Sequence, residues 1–334
     1  MIKTISKLVE VYGPSGHEDR VRNLIRGEIE HLADSVRVDA LGNLIAIVNG
    51  DGTGRRVMLA AHMDEIGLIV THVDEKGFLR FGRVGGVRAE LCVGNRVRFE
   101  SGTMGVIWVE KRDSPNTNPE FDHLYIDVGA KNRADCPIRV GDMAVFDRTF
   151  VVQGDRWTAK AMDDRIGCAV LIEVLRTIRR ERISLAHTLQ MVFSAQEEVG
   201  VRGATTAAYA LEPEIGIAVD VTLTGDMPKA PTMAVDLGGG PAIKVKDAGL
   251  LAHPGLVQLM ADRAKEAGIP CQYEVMPFGG TDAQAMQLTR SGSIAGAISI
   301  PCRYVHSASE MVDAQDVRSA VSLLTQCLKG PLAL

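Results

Sequence analysis

The run Met191–Gly200, MVFSAQEEVG, sets the reading of the whole chain. Its first half is apolar enough to form a strand buried on both faces, as in a parallel sheet covered by helices. Its second half places two carboxylates, Glu197 and Glu198, directly at that strand's end. Burying one carboxylate is unfavourable and burying two side by side more so, unless a cation or a shared proton offsets the charge. For an isolated Glu-Glu pair a solvated loop is the ordinary explanation. The rest of the chain argues otherwise.

Outward from this run, helix and strand patterns alternate. RVMLAAHMDE (56–65), IGIAVD (215–220), AIKVK (242–246), CQYEVM (271–276) and SIAGAISI (293–300) read as strands. DDRIGCAVLIEVLRTIRRE (163–181), PGLVQLMADRAKEAG (254–268), TDAQAMQLTR (281–290) and AQDVRSAVSLLTQCL (314–328) read as helices. Nearer the start, Ser15 and Glu18 have the spacing of a capping box for a helix carrying Val21, Leu24, Ile25, Ile29 and Leu32. SVRVD and NLIAIVNG follow as strands with Gly42-Asn43 between them.

The texture changes between Gly67 and Val152. Short alternating runs (GLIVTHV, GFLRFG, NRVRFE, GTMGVIWVE, LYIDVG, DMAVFD, TFVVQ) are punctuated by Gly, Asn and Asp, with no amphipathic helix among them. The fold class that follows is α/β, residues 1–66 and 153–334 forming one discontinuous mixed-sheet domain and residues 67–152 an inserted all-β barrel or PDZ-like domain.

Composition excludes several functions. With 37 basic and 42 acidic residues, a net charge of −5 and no basic stripe, nucleic acid is not an expected partner. No apolar run approaches the roughly 20 residues that span a bilayer, and the start lacks a signal-type core. Six cysteines are scattered without a CxxC, so the expected compartment is the reducing cytoplasm.

The polar residues that end the α/β strands are His62 and Asp64, Glu197 and Glu198, and Asp220, with His306 a short loop beyond SIAGAISI. In open α/β sheets ligands bind beyond the carboxyl ends of the strands, so these groups converge on one crevice. Asp163 and Asp164 precede the long helix, whose N-terminal dipole favours negative charge. Taken singly, a strand-end His is a hydrogen-bonded structural residue and Asp163 a helix cap. Together, two His and several carboxylates suit Zn²⁺, Mn²⁺ or Co²⁺.

YGPSGHED, AHMDEIGLIV, GDRWTAKAMDDRIGC, FSAQEEVGVRGA, VDVTLTGDMP, LGGGPAI, GGTDA and ISIPCRYVHSASEMVD occur in order from Gly13 to about Val317. The chain resembles the M42 family of metallo-aminopeptidases, whose members are sometimes labelled endoglucanases. The resemblance implies two divalent metal ions per subunit, Zn²⁺ first and Co²⁺ or Mn²⁺ as alternatives. It implies that Asp163 bridges both, His62 and Asp220 complete one site, and Glu198 and His306 complete the other. Asp64 then orients His62, and Glu197 is the general base on a metal-bridging water. Asp164 is a helix N-terminal or supporting group. The substrates implied are short peptides with a free N-terminus. Self-association, from dimer up to dodecamer, is implied through the inserted domain, and sheet edges exposed by an all-β insertion would point the same way. Two runs depart from the family pattern: Ala308 stands where proline is usual, and VGGVRAEL (84–91) matches only loosely.

Three rival readings remain at this stage. A dimetal carboxypeptidase or deacylase shares the catalytic scaffold but has helices in its inserted domain. A glycosidase could use two carboxylates, yet 4% aromatic residues offers few sugar platforms. A peptide-binding scaffold could work by strand addition without metal. In FGGTDA, Thr281 or Asp282 can cap the next helix or touch substrate; LGGGP reads as a turn.

Overall fold

The computed structural model describes residues 1–111, 117–330, 332 and 334. Its larger part is an 11-stranded mixed sheet. Four parallel strands form the centre, in the order Thr188–Ser194, Arg56–His62, Ile215–Thr222, Ile294–Arg303. Leu44–Val48 and Ser35–Val38 extend one side. Glu310–Asp313, Arg156–Ala159 and Val151–Gln153 extend the other. Ala242–Lys246 also pairs with Ile294–Arg303 and carries Gln272–Val275 as an edge strand.

The central strands are continuous apolar runs because both their faces are covered. Leu59, Phe193, Val219 and Ile298 pack towards helices Ile2–Glu10, Asp19–Ile29, Met162–Glu181, Pro254–Glu266 and Ala314–Leu328. The alternate residues Met58, Ala60, Val192 and Ala218 pack against Ala207, Ala208, Ala283 and Met286 of the short helices Arg202–Leu211 and Asp282–Gln287. With side chains of adjacent strand residues on opposite faces, one strand serves two cores.

Between Gly67 and Phe146 six antiparallel strands close into a barrel, in the order Gly67–Val73, Leu79–Val84, Leu124–Asp127, Met104–Val109, Arg96–Phe99, Met143–Phe146. Its core holds Leu68, Phe81, Val97, Phe99, Ile107 and Ile126, joined by Ala308 from the other domain. Ala308, the departure from the family pattern, therefore lies at the seam between domains. On Met104–Val109 the alternation turns Ile107 inward and leaves Trp108 52% and Val106 44% exposed.

Three expectations are corrected. Val151–Gln153 does not end the β insertion: it turns back through Gly154-Asp155 to pair with Arg156–Ala159, so it belongs to the large sheet. The barrel is closed, so the argument from exposed insertion edges does not hold; closure pairs the strands that would have been edges. The Ser15–Glu18 capping box does not form. Ser15 Oγ instead donates to Asp64 Oδ2 at 2.6 Å, and Glu18 Oε1 accepts from the backbone N–H groups of Gly16 and Gln196. Those buried turns compete successfully for both side chains. LGGGP is a turn, as read, with the Gly238 and Gly240 N–H groups donating to Asp316. No helix among the described residues is long and apolar enough to cross a membrane.

Candidate metal centre

The parallel strands deliver their terminal residues to one place. His62 ends Arg56–His62, Asp220 lies near the end of Ile215–Thr222, and Glu197 and Glu198 occupy the turn after Thr188–Ser194. Asp163 sits in the first turn of the long helix with non-helical backbone, and the Asp163–Asp164 peptide bond is cis. Gln196 and His306 adopt left-handed backbone, φ 57° and 62°, in the two tight turns that present Glu197 and the His306 imidazole.

Asp163 is the hinge of the arrangement. Its Oδ1 lies 3.0 Å from His62 Nε2 and its Oδ2 3.3 Å from His306 Nε2. His62 Nε2 is 4.0 Å from Asp220 Oδ1, and His306 Nε2 is 3.1 Å from Glu198 Oε2. Among the described residues two groups can each hold a metal ion, His62–Asp163–Asp220 and Asp163–Glu198–His306, each with its donor atoms within 4.8 Å of one another. Imidazole and carboxylate donors suit Zn²⁺, Co²⁺ or Mn²⁺. The Glu198 Oε1 oxygen is buried without a hydrogen-bond partner, as a carboxylate reserved for a cation would be.

The supporting hydrogen bonds explain why two acidic residues can stand together at the strand end. Asp64 Oδ1 accepts from the Glu197 N–H at 3.0 Å and Asp64 Oδ2 from the Glu198 N–H at 3.2 Å. The same carboxylate lies 3.4 Å from His62 Nδ1, and the Asp64 carbonyl is 3.2 Å away. Asp164 turns from the centre: Oδ1 accepts from Gly167 N, inside the helix's first turn, and Oδ2 from His62 N. Thr281 caps Asp282–Gln287 by accepting from Ala283 N, while Ser194 Oγ donates to Asp282.

Charge is unevenly held. Burial pushes the Glu197 and Asp220 carboxyls well above the usual carboxylate range, against the opposing pull of His62. Burial disfavours protonated His62, but hydrogen bonds to Asp163 and Asp64 raise its pKa well above that of free imidazole. Asp163 and Asp64 go the other way: hydrogen bonds from His306 and His62 outweigh the burial of Asp163, and those from His62, Ser15 and the Glu197 N–H outweigh that of Asp64, so both are held low. So many carboxylates in one buried space call for cationic partners.

The M42 glutamyl aminopeptidase family model matches residues 42–323, most of the chain. The chain belongs to the M42 aminopeptidase family. As an M42 enzyme it is a metal-dependent peptide-bond hydrolase. The lysyl aminopeptidase of Pyrococcus furiosus is 35% identical over 97% of this chain and 96% of its own. An aminopeptidase structure from Desulfurococcus kamchatkensis superposes with a TM-score of 0.93 at 37% identity, covering 98% of this chain and 94% of that one. The TET1 peptidase of Pyrococcus horikoshii, which assembles into a tetrahedron or a large octahedral shell, superposes at 0.88 with 33% identity over 98% of both chains. The carboxypeptidase, glycosidase and scaffold readings are not favoured by these likenesses.

Sequence reasoning missed several groups that hold this M42 site together. Buried Glu310 accepts from the Asp163 N–H at 3.0 Å through Oε2 and from the His306 N–H at 2.8 Å through Oε1. Burial and the Asp163 charge raise its pKa to about 8. Glu65 is clasped by Lys160, at 2.7 and 2.8 Å, and by Arg165, which also donates to the carbonyls of Leu8 and Gly13. The loosely matching VGGVRAEL brings the barrel onto the centre: a Cβ on Gly85 would lie 3.1 Å from Glu198 Oε2. Glu310 lies inside a quoted run, but nothing in its spacing distinguishes it from a strand residue.

Proposed function

We propose that the enzyme removes N-terminal residues from short peptides, with one ion on His62, Asp163 and Asp220, a second on Asp163, Glu198 and His306, and Glu197 as general base. The observation that carries this reading is the Asp163 carboxylate, whose two oxygens face the imidazoles of different donor groups. A single ion would need only one of them.

Two divalent cations bound there, Zn²⁺ foremost, supply a Lewis acid for the scissile carbonyl and a lowered pKa for the attacking water. Glu197 Oε2 is 3.9 Å from His62 Nε2, belongs to neither donor group, and is thus free to move a proton. It takes the proton of the attacking water and delivers it to the leaving amine nitrogen. Asp64 fixes the His62 ring and the Glu197–Glu198 turn together, so the base and one ligand keep their relative positions. The carboxylate-rich cleft attracts the free α-amine of the substrate, and an acetylated peptide lacks that anchor. The six free cysteines fit a reducing cytoplasm. Self-association is proposed by likeness to the assembling relative, with the inserted barrel as the contact domain.

Glu197→Gln tests the base directly. The variant should bind two ions by elemental analysis and lose at least about 10²- to 10⁴-fold in kcat. Near-normal turnover in the metal-loaded variant would remove Glu197 from this role.

A further inference from the structure

The metal centre opens into a cavity of about 560 Å³. Its lining is largely apolar: Val221 and Leu223 lie within three residues of Asp220, Met276 and Phe278 come from the loop after Gln272–Val275, Val201 precedes helix Arg202–Leu211, and Val305 stands next to His306. The neutral polar groups of the lining are Thr222 and Gln284. Apart from the metal-centre residues, the one charged side chain among the described residues lining the cavity is Arg88. It enters from the inserted barrel domain, two residues beyond Gly86. A Cβ on Gly86 would lie 2.2 Å from His306 Nδ1, so this loop flanks the His306–Glu198 half of the centre. The Arg88 side chain is 60% exposed and its Nε lies 3.8 Å from Glu90 Oε1.

We infer that the enzyme selects an uncharged, apolar N-terminal residue, whose side chain lies on the wall formed by Val201, Val221, Leu223, Met276 and Phe278. The inference rests on the aminopeptidase reading above and narrows its substrate class. A lysine or glutamate side chain placed against that wall leaves water and meets no opposite charge, which strongly disfavours it. A leucine or methionine side chain gains with every methylene buried; one methylene in such a pocket is worth about 10- to 200-fold in discrimination. This separates the chain from its lysyl-specific relative, which by its name accepts a cation.

The test is kcat/KM of the metal-loaded, full-length enzyme on the p-nitroanilides of leucine, methionine, lysine and glutamate. Leucine and methionine should exceed lysine and glutamate by about 10-fold or more. Equal or better turnover of either charged substrate overturns the inference. If glutamate leads and Arg88→Gln abolishes that lead, Arg88 and not the apolar wall reads the N-terminal residue. Leu223→Asp supplies the missing charge and should shift the lysine-to-leucine ratio about 10-fold towards lysine. An unchanged ratio in a Leu223→Asp protein that still cleaves the leucine substrate removes the wall from this role. Release from none of the four, with free dipeptides also uncut, would overturn the aminopeptidase reading itself.

Discussion

Gly86 of the inserted barrel packs flat against the imidazole of His306 from the α/β domain, so closely that a Cβ there would come within 2.2 Å of Nδ1. The barrel is thus one wall of the metal centre and not only an appendage to it. Gly86→Ala should push the imidazole off Glu198 and Asp163. We expect loss of the ion held by His306 and a fall in kcat/KM of about 10²-fold, the scale of a 1 Å misplacement at a reacting centre. Elemental analysis beside kinetics checks this; full activity with two ions bound would show that the loop simply moves aside.

Asp64 ties Glu198, a proposed ligand, to Glu197, the proposed base. Its two oxygens take the N–H groups of Glu197 and Glu198, and one also takes the Ser15 hydroxyl. In Asp64→Asn one of those oxygens becomes a donor facing donors. Metal affinity should fall about 10- to 100-fold, as for other groups that orient a liganding histidine. Titration with a competing chelator measures it. Unaltered affinity would mean that the Asp64 carbonyl alone orients His62.

Lys244 is fully buried between Glu274 and Asp247, with Nζ 3.6 Å from Asp247 Oδ2 and hydrogen-bonded to Glu274 Oε1. Lys244→Met leaves two buried carboxylates without a cation. The expected loss is about 3–5 kcal/mol, the usual result of breaking a buried pair by removing one partner. It should be seen as a lower denaturant midpoint with an unchanged slope. A loss under about 1 kcal/mol would mean that the buried pairs add little to stability.

Trp108 and Val106 form an exposed apolar stripe on the closed barrel. Exposed aromatic and aliphatic side chains grouped in this way mark contact surfaces. Light scattering of the intact protein should give a multiple of its 36.0 kDa mass, and Trp108→Glu should shift it to a smaller species with the same circular dichroism. An unchanged assembly in Trp108→Glu would move the interface elsewhere, for instance to the edge strand Gln272–Val275 with its exposed Tyr273 and Val275.

Much of this was legible in the residues. The switch from helical to alternating periodicity located the insertion, because a sheet with two covered faces and a barrel with one inner face impose different patterns. His62, Glu198, Asp220 and Asp163 stood out because strand ends and a helix N-terminus aim at one crevice. The pairing of Val151–Gln153 was not legible, since a short polar-flanked run fits either sheet equally well. Ser15 and Glu18 have a capping-box spacing, but Ser15 bonds to Asp64, and Glu18 accepts from Gln196 as well as from nearby Gly16; Asp64 and Gln196 are remote in sequence. The roles of Gly86 and Glu310 depend on contacts between segments far apart in sequence, which no local pattern records.

The order of the donors along the chain has a consequence for when activity can begin. His62 precedes the barrel, Asp163 follows it, and His306 comes after the last parallel strand, Ile294–Arg303. Asp163 belongs to both donor groups, but its other partners lie on both sides of it in sequence. A growing chain that has not yet passed His306 therefore holds at most one complete group. A cut anywhere between His62 and His306 leaves neither piece with both. Under the two-ion mechanism proposed above, a growing chain would gain peptide-cleaving competence only once it has passed His306.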